Sequence, residues 1–139
     1  MRKMNVTSFP DFVACVLNQL ISEEPTQAIW FIGSRANGSE RIDSDWDFIA
    51  FVNDEIHERN ARHINVDIVR VDKNMQCLLE GENQNLSGSF HNWRWRQIDT
   101  ESSLYTYRKT PDVENGQGFD IADVEYIDLH GIKVWEKNA

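Results

Sequence analysis

The chain lacks any apolar run near the roughly 20 residues that a bilayer-spanning helix needs, which argues against a helical membrane protein. Its start, MRKMNVTSFP, has basic residues but no apolar stretch after them, so it does not read as a secretory leader and the cytoplasm is the expected location. Cysteine is scarce. Cys15 and Cys77 lie far apart among apolar neighbours, and no CxxC occurs. That excludes a Cys/His zinc pattern and a disulfide scaffold, and both residues read as buried free thiols. Positive charge is also short, with 14 Lys and Arg against 23 Asp and Glu. A phosphate backbone is held by clustered cations, so the balance of −9 argues against a nucleic-acid substrate. It leaves room for a nucleotide bridged by divalent cations, which offset local carboxylates. Repeats, low-complexity tracts and Pro/Gly-rich linkers are absent, and 139 residues suit a single domain.

What is present alternates between helical and strand patterns. Ser8 to Glu23 reads as a helix, with Ser8 as N-cap, Pro10 in the first turn and Phe12, Val13, Val16, Leu17, Leu20 and Ile21 as the apolar stripe. Pro25 ends it. Ala28 to Ile32, Trp46 to Val52 and Ile64 to Val71 read as strands, and Ser34 to Gly38 as a short helix or turn. Asn53 to Arg62 is a loop or an exposed helix, and Asn74 to Glu80 is expected to be a short helix closed by Gly81. Glu82 to Ser89 and Pro111 to Gly118 read as loops. Phe90 to Thr100 and Ser103 to Arg108 alternate bulky and polar residues like strands, and Ile121 to Trp135 offers one or two more, with Gly131 as a turn. The expected class is α+β: a mixed sheet flanked by helices over residues 8–81, with a strand-rich elaboration over 82–139.

The chemistry concentrates in Phe31 to Ile49. Gly33-Ser34 follows an apolar strand and opens the short helix, where glycine lets the backbone turn sharply and helix-start amides attract phosphate. Ser34 adds a hydroxyl and Arg35 a positive charge. Asp45 and Asp47 are two residues apart at a strand start, so their side chains share a face. Two such carboxylates repel, and a divalent cation removes the conflict. Asp67 interrupts an otherwise apolar strand, where an isolated charge is expensive. Each residue alone has a plainer reading as a turn, cap or edge group. Together, if the two strands are neighbours, they compose a metal site beside a phosphate turn.

The combination of Gly33-Ser34, ten intervening residues, Asp45-Trp46-Asp47 and then Val66-Asp67-Ile68-Val69 resembles the polymerase-β superfamily, and in particular its minimal nucleotidyltransferases. Arg35-Ala36-Asn37-Gly38 and Ser44-Asp45 are similar to flanking blocks of that family. The resemblance spans about Phe12 to Val71. It implies a nucleotidyltransferase fold in which Gly33 and Ser34, with help from Arg35, hold the triphosphate of an NTP, with ATP expected. It also implies that Asp45, Asp47 and Asp67 bind two Mg²⁺ ions and that Asp67 helps activate the acceptor hydroxyl. The implied reaction moves a nucleoside monophosphate, AMP, to a hydroxyl of a protein or small molecule, as antitoxin-like members do. The alternative is a non-catalytic nucleotide- or protein-binding regulator. No helical acceptor domain follows residue 81, so a protein partner, a homodimer or the tail would complete the site. In the tail, His91-Asn92-Trp93-Arg94-Trp95-Arg96 unites aromatic and basic residues. The favoured reading is a core Trp face with an Arg face in solvent, and base stacking is the competing one. His57, His63 and His130 carry no motif and read as surface or structural.

Overall fold

The first helix starts three residues later than its sequence cue. Pro10, extended at φ −55° and ψ 152°, leads into α1 (Asp11–Glu23) without a side-chain cap. Ser8 closes a single 3-10 turn, Val6–Ser8, whose cap is Asn5. This is a computed structural model, which describes residues 4–55, 63–80, 87–109, 118 and 120–137. Val13, Leu17 and Leu20 of α1 are fully buried, while Phe12 is half exposed. Cys15 is exposed, contrary to expectation, and Cys77 is buried. At 100° per residue, Cys15 lies some 200° around the helix from Val13 and so faces away from the core.

The remaining elements are β1 (Thr26–Ile32), α2 (Gly33–Asn37), β2 (Trp46–Val52), β3 (Val66–Val71), β4 (Gln76–Glu80), β5 (Ser87–Ser89), β6 (Arg96–Gln97), β7 (Ser102–Lys109) and β8 (Glu125–Glu136). The class is α+β with one mixed sheet, ordered β5-β4-β3-β2-β1-β8-β7-β6. β2 and β3 run parallel, and every other pairing is antiparallel. The C-terminal β8 lies directly against β1, so the second half of the chain continues the same sheet.

Four expectations fail here. Asn74 to Glu80 is not a helix. Asp72 Oδ1 accepts from the amides of Asn74 and Gln76, Met75 takes a left-handed φ of 61°, and the chain turns back as β4 against β3. A side-chain-capped turn competes with a helix start, and the sheet edge decides the outcome. Gly131 is not a turn, because β8 runs straight through it. A Cβ there would meet Ser103 Oγ at 2.7 Å, so glycine serves close strand packing. Phe90 to Thr100 is mostly not strand. Phe90–Trp93 forms a 3-10 turn stopped by Arg94 at φ 52°, and only Arg96–Gln97 pairs. Ser87–Ser89 is strand rather than loop. Most of the 53–62 and 111–118 segments, the rest of the 82–89 loop and His57 lie outside the described residues.

The two faces of the sheet differ. On one, α1 packs Val13, Leu17 and Leu20 onto Ile29, Phe31, Phe48, Ala50, Val66 and Ile68. Phe9 adds edge contacts to Phe31 and Phe48, with centroids 5.0 and 5.2 Å away. Each such side chain contributes about 1.5–3 kcal/mol by burial. On the other, Trp30, Ile32, Ile49 and Val71 meet Phe90 and Tyr105, with Trp93 and Trp95 packed alongside. Alternation along β2 and β3 puts Asp47 and Asp67 on this second face.

Candidate metal and nucleotide site

Asp47 and Asp67 are direct partners in the parallel β2–β3 register. Neighbouring strands lie about 4.8 Å apart, and both residues face the same way, so the two carboxylates are adjacent. On the other side of β2, Asp47 pairs with Ile32, the last residue of β1, and Gly33 follows at once. The glycine turn, Asp47 and Asp67 therefore line up across three successive strands.

Gly33 is required by both conformation and space. Its φ is +81°, and a Cβ would land on the Asp47 carboxylate. Asp47 itself is strained electrostatically. Burial, then the charges of Asp67 and Asp45, push its pKa from 3.8 to about 7. The field of Asp45 reaches Asp47, but Asp45 is exposed and does not line the cleft. The adjacent pair is thus Asp47 with Asp67, and Asp45 stands beside it at the mouth of β2.

Arg35 has a role other than the one its sequence position suggests. Its Nε donates to the Ser44 carbonyl at 3.0 Å and its Nη2 to the Ile42 carbonyl at 3.2 Å. The guanidinium lies 4.3 Å over the Trp46 ring. It braces the loop that presents Asp45 and does not line the cleft. Ser34 does line it.

Two contributors were not among the expected site residues. The Tyr105 hydroxyl accepts from the Gly33 amide at 2.9 Å, so this amide of the turn already has a partner, unlike the free amide expected. Burial and the Asp47 charge raise the Tyr105 pKa, against the lowering effect of that amide. Asn37 Nδ2 donates to the carbonyls of Gly33 at 2.8 Å and His130 at 3.1 Å, and Asn37 Oδ1 accepts from the His130 amide at 2.8 Å. The phosphate-type turn is therefore clamped by β7 and β8, whose residues lie 72 and 93 positions away. No short-range pattern encodes contacts of that separation.

These groups line a cleft of about 1020 Å³, whose wall combines Gly33, Ser34, Asp47 and Asp67 with Trp93, Arg94, Tyr105 and Tyr107. The donor set suits a hard divalent cation: carboxylate oxygens, a hydroxyl and space for phosphate oxygens and water. Among the described residues, no group of three His, Cys, Asp or Glu side chains is arranged as a ready ligand cage. Mg²⁺ needs only one or two carboxylates, with the substrate supplying the rest. The tail cluster divides: Trp95 packs into the aromatic core and Arg96 pairs with Asp128 at 2.9 Å, whereas Trp93 and Arg94 face the cleft. His63 is buried and His130 is exposed.

Compared with known proteins, the chain matches no family model, no curated protein and no solved structure.

Proposed function

We propose that this chain is a Mg²⁺-dependent nucleotidyltransferase on a nucleotidyltransferase-type fold, moving AMP from ATP to a hydroxyl of a protein or small molecule. One observation carries the reading. Two carboxylates abut on neighbouring parallel strands beside a positive-φ glycine turn, at a cleft wall, with one of them costly to ionise. Two carboxylates that share one site repel, and a divalent cation between them offsets that repulsion. Perturbed carboxylates in a cleft mark functional sites.

In this reading Asp47 and Asp67 hold the cation, Asp45 adds negative field and a further ligand, and Ser34 contacts the phosphates. Divalent ions would supply charge neutralisation of the attacking and leaving oxygens. The acceptor oxygen bonds to the α-phosphorus, the bond to pyrophosphate breaks, and the hydroxyl proton passes to Asp67. Positioning and electrostatics supply the rate.

A second reading, a non-catalytic nucleotide-binding regulator, is favoured by one feature: the Gly33 amide is already taken by Tyr105. Incubation with Mg²⁺ and α-labelled ATP, with a cellular extract as acceptor source, separates the two. Label transferred by the native chain and absent with Asp67→Asn supports catalysis. Binding of Mg-ATP by calorimetry with no pyrophosphate release supports the regulator. Transfer that persists in Asp67→Asn and Asp47→Asn would sink the assignment.

A further inference from the structure

We propose that Trp93 and Arg94, with Tyr107, form a subsite for the purine ring of the nucleotide, a proposal that rests on the metal–phosphate reading above. The cleft is larger than a metal–triphosphate group requires. Its roughly 1020 Å³ is at the upper end of small-molecule sites. Away from the carboxylates and the glycine turn, the wall carries Trp93, Tyr105, Tyr107 and Tyr126 among aliphatic and polar residues. Trp93 is half-buried, held by Phe90 at 5.7 Å and Tyr105 at 5.7 Å between centroids, so its ring is fixed before any ligand arrives. Tyr105 is the residue whose hydroxyl holds Gly33, so the Trp93 ring is one contact removed from the phosphate turn. Tyr107 lines the same cleft and is 51% exposed, an aromatic ring presented to solvent.

Arg94 adds the cation. Its backbone takes the left-handed conformation, φ 52° and ψ 47°, unusual for a side-chain-bearing residue. That conformation ends the 3-10 turn and puts Arg94 on the cleft wall. Among the described residues its guanidinium has no ion-pair partner, and the Tyr126 ring lies 5.7 Å away. Asp128, the neighbouring carboxylate, is bound by Arg96. A planar guanidinium beside fixed indole and phenol rings stacks on a flat heterocycle and donates to its edge nitrogens. A purine offers more stacking area than a pyrimidine, so ATP and GTP should bind ahead of CTP and UTP. Trp95 and Arg96, next in sequence, are spent on the core and on Asp128 and play no part.

Calorimetric titration with three probes in Mg²⁺ tests this: an ATP analogue blocked between the α- and β-phosphates, tripolyphosphate and adenosine. Aromatic stacking of a base contributes about 1–3 kcal/mol. Trp93→Leu and Arg94→Gln should therefore weaken the ATP analogue about tenfold and leave tripolyphosphate unchanged, and Trp93→Phe should recover most of the loss. Should Trp93→Leu fail to fold, the exposed Arg94→Gln variant decides the matter. Equal weakening of tripolyphosphate and the ATP analogue, or no change in either, overturns the base subsite while leaving the metal–phosphate reading intact. If the native chain binds no tripolyphosphate with Mg²⁺, the metal–phosphate reading fails. The aromatic subsite then survives only if adenosine binds the native chain and not Trp93→Leu.

Discussion

The two faces of one sheet obey opposite rules. Under α1, Phe48, Val66 and Ile68 are wholly buried in an apolar cluster, and the one charge nearby on β3, Arg70, is paired with Glu24. One residue along the same strands, Asp47 and Asp67 put two carboxylates side by side at a cleft. The first face maximises burial, and the second keeps a charge conflict that burial makes worse. A strand delivers both at no extra cost in chain, because its side chains alternate. Apolar packing therefore occurs on both sides of β2 and β3, and the paired carboxylates on one side alone.

The sharpest way to break this comparison is to mutate one residue on each face. On the cleft face, Asp67→Asn should reduce nucleotidyl transfer by about a thousandfold, on the scale of losing a principal electrostatic stabiliser. Its melting temperature without metal should not fall, as scanning calorimetry would show, because the change removes a charge that opposes ionisation of Asp47. On the α1 face, Leu17→Ala should cost about 2–5 kcal/mol of stability, read by urea denaturation. Mg-ATP affinity at a temperature where the variant is folded should stay at the native value. If Leu17→Ala alters affinity as strongly as Asp67→Asn, the division of labour is wrong.

A weaker test inverts the usual sign. Folded Asp47 releases its proton near pH 7, whereas in the unfolded chain it does so near 3.8. The folded state thus binds more protons between those values, so the penalty is absent below about pH 4, grows as pH rises and is complete above pH 7. Asp47→Asn should accordingly stabilise the metal-free protein at pH 8 by about 1–2 kcal/mol and have little effect at pH 4. Mg²⁺ should raise the melting temperature of the native chain at pH 8 and leave Asp47→Asn unmoved. Destabilisation by Asp47→Asn at pH 8 would show that this carboxylate is already compensated.

The smallest effect concerns the clamp between the faces' two supports. Tyr105→Phe keeps the ring that touches Trp93 and Trp95 but removes the acceptor for the Gly33 amide. Loss of one such bond is expected to cost about 1 kcal/mol. If the bond restrains the turn against the phosphates, Mg-ATP binding should tighten severalfold when the amide is freed. If it pre-shapes the turn, binding should weaken by a similar factor. An unchanged affinity would remove Tyr105 from the site.

Much of the candidate site was legible because its components are local. Gly33 marks a strand end, Asp45 and Asp47 share period-two spacing, and Asp67 is a charge inside an apolar run. What misled was also local. Arg35 adjoins the glycine turn but reaches back to the Ser44 and Ile42 carbonyls. Ser8 caps nothing in α1, because Pro10 redirects the chain. The 74–80 segment has helical spacing, yet the Asp72-centred turn sends it back along β3 as a strand.

By itself, then, the sequence determined the elements whose signals repeat within one or two turns of chain: the stripe of α1, the alternation of β2 and β3, the glycine at the end of β1. It also supplied the carboxylates. Tertiary structure alone decided that β2 and β3 are parallel neighbours in the one register that abuts Asp47 with Asp67. It also decided that β8 inserts against β1, that Tyr105 holds the Gly33 amide and that Asn37 bonds to the His130 backbone. It split the Trp93 to Arg96 cluster between cleft and core. The reason is distance along the chain. Periodicity constrains neighbours a few residues apart, while these contacts join residues tens of positions apart, and only the assembled sheet selects them.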